Sequence, residues 1–571
     1  MYINSRVQLG DRLNAYEYAL TTFCRNENAF DKERRYISAC ILDIFLQMLD
    51  FLCMSGNVEK AIQKIFGLLE NSGDTLLLDI HSCLIVSDRC IFWFCCIYLA
   101  IYRKLPELIV QQFEFEKELP FRIEWPSAHL TTDRKGHALE LMKRAVDKMG
   151  LDIGINPHIK DQVVLRSLHF LAVSHVRCVA ALDEGLHCSA DLVASYLSLY
   201  PTCIELILIS ARLKENCSKD LVFKGFEVSL SNWPKESSGI QCLWHQYVEH
   251  ALADKGIDLA EILLARWFRK FSKDTNLHDW NLEGRKDGDS FVLPSHVTSD
   301  DGITCPKQDD TFWFLNLSVY RMLQKNLREA QCAIDTALKL ASHEDYKYCV
   351  RKHAAFTFAH EADSNRDKPL GVILGLLHGY LADSRSSTIL EPLSRKYYKY
   401  IKRPRVRQFI NNILGPVSRD FTLVNSVLEV CYGASLLPEK PDDPKGFVDF
   451  IESLMEITPA NYKLALSVYK LTLNFFHPSV AADAIKFWAC SLLINSIFQA
   501  VPVAPEHVWL EAADAMRDSE MMDISVRFHE QAVSVYPFSI KLWLSYMDIC
   551  RNTDHVDTIA ETARERGVEL S

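Results

Sequence analysis

The sequence predicts an all-α protein, a superhelical array of antiparallel helix pairs, and three observations carry that expectation. Apolar residues recur at three- and four-residue intervals through most of the 571 residues, the period of helices with one buried face. Gly and Pro, 21 and 20 residues, fall well below the roughly 12% of average usage, which disfavours turn-rich sandwiches and barrels. Landmarks also repeat. Trp509 and Trp543 lie 34 residues apart, and Pro201 and Pro234, each preceded by an aromatic residue, lie 33 apart. That interval is the length of one two-helix repeat.

Composition bounds the function classes. A net charge of −11 argues against a chain that coats nucleic acid nonspecifically, because phosphate binding needs clustered Lys and Arg. The 18 cysteines are scattered, often on apolar helical stretches such as Cys40, Cys53, Cys95, Cys96 and Cys490, and no C-x-x-C occurs. Buried free thiols in a reducing compartment are the expectation, rather than a disulfide framework or a zinc ribbon. The opening MYINSRVQLGDRLNAYEYAL has no basic-then-apolar leader pattern. The most apolar run, Ile91 to Ile101, is eleven residues long, too short for the roughly 20 a bilayer needs, so it reads as a buried core helix. The chain is therefore expected to be soluble and intracellular, with no membrane partner.

Along the chain, Asp31 to Asn71 contains two amphipathic runs flanking Ser55-Gly56-Asn57, a helix, a short turn and a second helix starting near Val58. Glu116 to Gly136 reads as a short irregular break. Ser272 to Asp310 is polar, acidic and rich in Asp and Gly, the pattern of an exposed flexible insertion. It divides the chain into an N-terminal helical-repeat array, 1–271, an acidic insertion, 272–310, and a C-terminal helical-repeat array, 311–571. Trp313 to Ala341 repeats the hairpin plan with Lys325-Asn326 at the turn, and Ala330, Ala333 and Ala337 on its second helix allow close approach. Gly371, Gly375 and Gly379 read as a helix-packing strip, and Pro438 to Lys445 as another break. Pro478 and Pro537 end helical runs after His477 and Tyr536, where proline cannot continue the hydrogen-bond ladder.

LWHQYVE (Leu243 to Glu249) and LWLSYMD (Leu542 to Asp548) share one order of residues. Trp244 and Tyr247, like Trp543 and Tyr546, are three apart and so share one helix face. Packing between neighbouring helices is the plain reading, and a ligand-stacking cage the sharper one. With RFHEQAVSVYP (Arg527 to Pro537) and KGFEVSLSNWP (Lys224 to Pro234), the pattern resembles the half-a-TPR (HAT) repeat, which has W-x-x-Y on its first helix. Phe528, Glu530, Ala532 and Pro537, and Phe226, Glu227 and Pro234, match its second helix. The arginine typical of that helix is not evident in register, and Trp509 is followed by Ala512 rather than Tyr. The runs Tyr2 to Leu20 and Ser38 to Ile65 are similar to the C-terminal repeat region of large nuclear CCCH zinc-finger proteins, especially plant ones. That resemblance implies a nuclear scaffold joining an RNA helicase and poly(A)-binding protein to the exosome. It also implies that Tyr2 closes a W-x-x-Y begun upstream, making the chain a fragment or short isoform.

No phosphate loop, nucleophile elbow or H-E-x-x-H is present; His360-Glu361 lacks the second His, and His187-Cys188 has no partner at ligand spacing. No catalytic residue, metal site, cofactor or small-molecule substrate is expected. The stretch marked for binding is Arg395 to Phe409: Arg395, Lys396, Lys399, Lys402, Arg403, Arg405 and Arg407 interleave with Tyr397, Tyr398 and Tyr400. Cations neutralise phosphates while tyrosines stack on bases; a solvated face or an acidic protein partner explains the same residues, and Pro404 is expected to break the helix. The expectation is a non-catalytic scaffold in nuclear RNA surveillance. A HAT subunit of a splicing or 3′-end-processing complex, and a helical enzyme marked by acids or histidines converging in a pocket, are its alternatives.

Overall fold

The computed structural model describes residues 3, 5–25, 31–69, 75–114, 117, 119, 123–153, 161–182, 189–215, 218–234, 238–255, 257–271, 311–362, 404–432, 436–437, 444–475, 480–517, 522–551 and 555–570. Among them every regular element is helical and there is no strand. Helices pack on their neighbours in sequence, and several also on the next but one: Ile240–Lys255 touches Ile257–Phe271 and Thr311–Leu323, and Glu506–Arg517 touches Met522–Val535 and Ile540–Ile549.

The turns follow from local chemistry. After the Asp31–Met54 helix, Gly56 takes φ +75°, where Asn57 N–H reaches the carbonyl of Leu52 and Gly56 N–H that of Cys53. This left-handed stop satisfies the last carbonyls and lets the Val58–Phe66 helix begin at once. A Cβ at Gly56 would also stand 2.5 Å from Ile540 Cδ1. The turn at Lys325-Asn326 has the same bonds, Asn326 N–H to Arg321 and Lys325 N–H to Met322, but places a lysine at φ +64°. Asn326 then caps the Leu327–Leu340 helix by accepting from Glu329 N–H, and Ala330, Ala333 and Ala337 are all buried against the preceding helix, as the spacing predicts.

The chain divides into two compact units, Met1–Ser189 together with Pro459–Ser571, and Ala190–Thr458. The division drawn from composition, 1–271, 272–310 and 311–571, follows the chain rather than the packing: the 272–310 stretch lies outside the described residues, and the helices flanking it, Ile257–Phe271 and Thr311–Leu323, pack together in one unit. Gly371, Gly375, Gly379, His187 and Cys188 also lie outside the described residues.

In the first unit the run from Ile91 to Ile101 lies on the Val86–Tyr102 helix, buried throughout against Thr132–Ile153 and Gln162–Leu182. Two other windows, Arg34–Met54 and Gln162–Leu182, are long and apolar enough to cross a membrane by length and composition, and half of each is buried among other helices. The first and last parts of the chain meet here. Leu9 N–H bonds the Arg566 carbonyl at 3.0 Å, the Phe51 and Phe538 rings meet edge to face at 5.3 Å, and Lys463 pairs with Glu107 at 3.3 Å.

The second unit is organised on a continuous core in which Phe226, Trp244, Tyr247, Trp267, Phe312 and Ile334 interlock. The described cysteines are free thiols, and burial pushes Cys90 up to about 12 and Cys490 up to about 11.

Candidate functional site

Trp244 and Tyr247 face inward from the Ile240–Lys255 helix and are fully buried. The Trp244 ring N–H donates to the Leu263 carbonyl at 3.2 Å, and Phe226 stacks on Tyr247 with centroids 5.2 Å apart. Arg266, on the following helix, lies 5.1 Å over the Trp244 ring and forms a buried 2.8 Å ion pair with Glu227. Burial and the Glu227 carboxylate raise the Tyr247 phenol above its usual range.

Trp543 and Tyr546 repeat this plan on the Ile540–Ile549 helix. Trp543 donates to the Pro537 carbonyl at 2.8 Å, His529 stacks on Tyr546 at 5.9 Å, Tyr546 donates to Glu530 at 3.4 Å, and Arg566 lies 5.9 Å over Trp543. An arginine lies over the indole at both motifs, Arg266 from the following helix and Arg566 from the C-cap of the Val556–Glu565 helix. The signal was a cation 22 or 23 residues after each tryptophan, too loose a spacing to read without the fold.

Trp509 lacks the tyrosine, and its helix has the fully buried Ala512 in that place. Its ring N–H donates to the Ala504 carbonyl at 3.1 Å, the same oxygen that accepts from Tyr536 at 2.6 Å, and it stacks on Phe528 and Phe498. Pro201, Pro234 and Pro537 follow the ends of the Ala190–Leu199, Lys219–Ser231 and Met522–Val535 helices; Pro478 lies outside the described residues.

Of the basic-aromatic stretch, Arg395, Lys396, Tyr397, Tyr398, Lys399, Tyr400, Lys402 and Arg403 lie outside the described residues. Pro404 opens the Pro404–Leu414 helix, a position where its missing N–H costs nothing. Arg405 is on that helix, its side chain outside the described residues, and Arg407 pairs at 2.6 Å with Glu456 across an exposed surface.

Two further clusters escaped the sequence reading. Around the Trp244 helix, His245 Nδ1 meets Asn316 Oδ1 at 2.9 Å and its Nε2 meets the Tyr348 hydroxyl at 2.7 Å. Beside them the fully buried Lys352 ammonium pairs with Glu249, and it stands 4.8 Å from the Tyr348 ring. Burial pushes His245 down to about 4, so the ring is neutral. Burial pushes the Glu249 carboxyl up, but the Lys352 ammonium, with help from the Tyr348 hydroxyl, holds it below the usual carboxylate range. Every member is engaged within the core, so the cluster fixes three helices against each other rather than presenting reactive groups.

The second cluster is a cleft of about 180 Å³ in the first unit. The aromatic side chains of Tyr16, Phe51, Phe113, Tyr536 and Phe538 line it together with Asp50. Arg12 closes one wall, its guanidinium 5.5 Å over Phe51 and 5.2 Å over Phe538. Burial, then the neighbouring Glu506 charge, pushes the Asp50 carboxyl up to about 7. Glu506 is itself raised by burial and accepts a hydrogen bond from the Ser539 hydroxyl. A carboxyl group that titrates near neutrality in a cleft is suited to proton transfer or to cation binding. No cluster of three or more potential metal ligands occurs among the described residues.

Compared with protein-family models and with curated protein sequences, the chain matches none.

Proposed function

We propose that this chain is a non-catalytic protein-interaction scaffold, a HAT/TPR-like array of antiparallel helix pairs that offers an extended surface to partner proteins. The observation that carries the reading is the recurrence of one packing unit. At Trp244 and at Trp543 a buried indole donates to a carbonyl, a ring from the preceding helix stacks on the tyrosine, and an arginine within the following helix or at its C-cap covers the indole. Such units cannot bury their apolar faces singly, and stacking them produces surface in excess of core. A chain that invests its aromatic motifs in repeat packing leaves function to the displayed surface.

The process is nuclear RNA processing or surveillance, with the scaffold linking RNA-binding proteins to the helicase that serves the exosome. Its support is the similarity of Tyr2 to Leu20 and Ser38 to Ile65 to the repeat region of nuclear CCCH zinc-finger scaffolds. Partners contact the scaffold through protein surface, and the Arg395 to Phe409 stretch supplies an additional contact to an acidic partner or RNA. Affinity purification of the tagged chain from nuclear extract, followed by mass spectrometry, tests the assignment. An exosome-linked RNA helicase or poly(A)-binding protein should be enriched over a tag-only control. Enrichment of splicing or cleavage factors instead would move the scaffold to another machine, and recovery of neither would overturn the assignment.

A further inference from the structure

We propose that the cleft between Asp50 and the rings of Tyr16, Phe51, Phe113, Tyr536 and Phe538 binds an alkylammonium group, the side chain of a lysine carried by a partner protein. Three observations lead there. Asp50 stands at the wall of a cleft of about 180 Å³, and among the described residues no hydrogen bond or ion pair reaches its carboxylate. Both influences on its titration, burial and the Glu506 charge, disfavour the ionised form, and no described cation offsets them. Five rings line the cleft, together with Gln47, Met54, Val535 and Pro537, and the faces of such rings attract a cation that has lost its water. Phe51 and Phe538 already do so for Arg12, which covers one side and leaves the Asp50 side to the visitor. An incoming ammonium would supply the missing counter-charge while its methylene stem lies on the rings.

The inference deepens the scaffold reading by naming the chemistry of one partner contact, and it rests on that reading only for the lysine being part of a protein. Saturation-transfer NMR on the full chain with n-butylammonium as probe, and 1-butanol as its neutral isostere, tests the site. Butylammonium should bind and butanol should not compete. Asp50→Asn, which removes the charge without changing shape, should keep the fold and weaken butylammonium about tenfold or more. Because protons compete for Asp50, binding should be about tenfold weaker at pH 6 than at pH 8. The titratable and charged groups around Asp50 are Glu506, Tyr16, Cys53, Tyr536 and, lining the same cleft, Arg12; the thiol and the two phenols are raised above their usual values, so they stay uncharged over that range, and burial raises Glu506 as well. Equal binding of the alcohol, or binding unchanged in D50N, would overturn the proposal.

A lysine tripeptide, acetyl-Gly-Lys-Gly-amide, separates the sources of the ammonium. Binding at least as tight as the free amine supports a partner's lysine, whereas binding of the amine only makes the cleft a small-amine site and removes the protein contact. Failure here leaves the purification experiment untouched, and a purification without the expected partners leaves amine binding standing.

Discussion

Trp244-x-x-Tyr247-x-Glu249 and Trp543-x-x-Tyr546-x-Asp548 are nearly identical on paper and differ in what surrounds their acids. At the first motif both carboxylates are sealed: Glu227 pairs with Arg266 and Glu249 with the fully buried Lys352. At the second, Glu530 is exposed and reaches Tyr546 at 3.4 Å, and Asp548, about half exposed, stands 3.9 Å from Arg517 and 3.8 Å from Arg551. The aromatic part of the motif is structural at both sites, whereas the acid takes its role from the depth at which the next helices bury it. A buried pair gives little net stability while intact and costs much when halved; an exposed pair does little in either state.

The largest expected effect follows from halving a sealed pair. Lys352→Met or Arg266→Ala should each lower unfolding free energy by about 3–5 kcal/mol, because a charge remains buried without its partner. Urea titration measures this, and Arg566→Ala serves as the comparison at the open motif. A loss below about 1 kcal/mol for Lys352→Met would mean that Glu249 escapes to water and the two motifs do not differ.

Acid should reveal the same asymmetry. Glu249 is held below its ordinary value, so its contribution is fully present above the unfolded pKa of about 4.3 and is lost as pH falls through the folded value. Asp50 has the opposite sign. Pushed up to about 7, it binds its proton more tightly folded than unfolded, so it favours the fold at low pH and opposes it increasingly as pH rises from about 4 to 7. Asp50→Asn should therefore raise the melting temperature at pH 8 and change it little at pH 4, as calorimetry at the two values would register. A uniform shift at both would remove the pH argument.

At two of the hairpin turns the effects are smaller. Gly56→Ala forces a side chain into φ +75° and towards Ile540, a loss of about 1–2 kcal/mol. Lys325→Gly relieves a lysine from φ +64° and should stabilise by a few tenths of a kcal/mol to about 1. Smallest of all, Glu530→Ala and Asp548→Ala should each change stability by less than about 1 kcal/mol. A destabilisation as large as that of Arg266→Ala would show the second motif to be as sealed as the first.

Much of the helical framework was legible in the sequence. Helix type, the hairpin turns at Ser55-Gly56-Asn57 and Lys325-Asn326, the buried run from Ile91 to Ile101 and the small face of Ala330, Ala333 and Ala337 all depend on residues a few positions apart. Periodicity, capping side chains and left-handed stops act within one or two turns of backbone, so they are written locally. The candidate cleft was not legible. It needs Arg12, Asp50 and Phe113 from one part of the chain and Tyr536 and Phe538 from another, and nothing in Leu49-Asp50-Phe51 marks that aspartate as different from its neighbours. The covering arginines escaped for the same reason, since Arg266 and Arg566 are ordinary surface residues until the next helix folds back.

The sequence by itself determined an all-helical chain and the aromatic positions that lock neighbouring helices, because those are short-range consequences of helical geometry. Tertiary structure decided that residues as distant as Glu107 and Lys463 belong to one unit, which acids find a cation, and that Asp50 faces a cleft with no cation paired to it. Those outcomes are set by burial and by charges brought together across hundreds of residues, and electrostatic energy depends on distance and dielectric in space rather than on position along the chain.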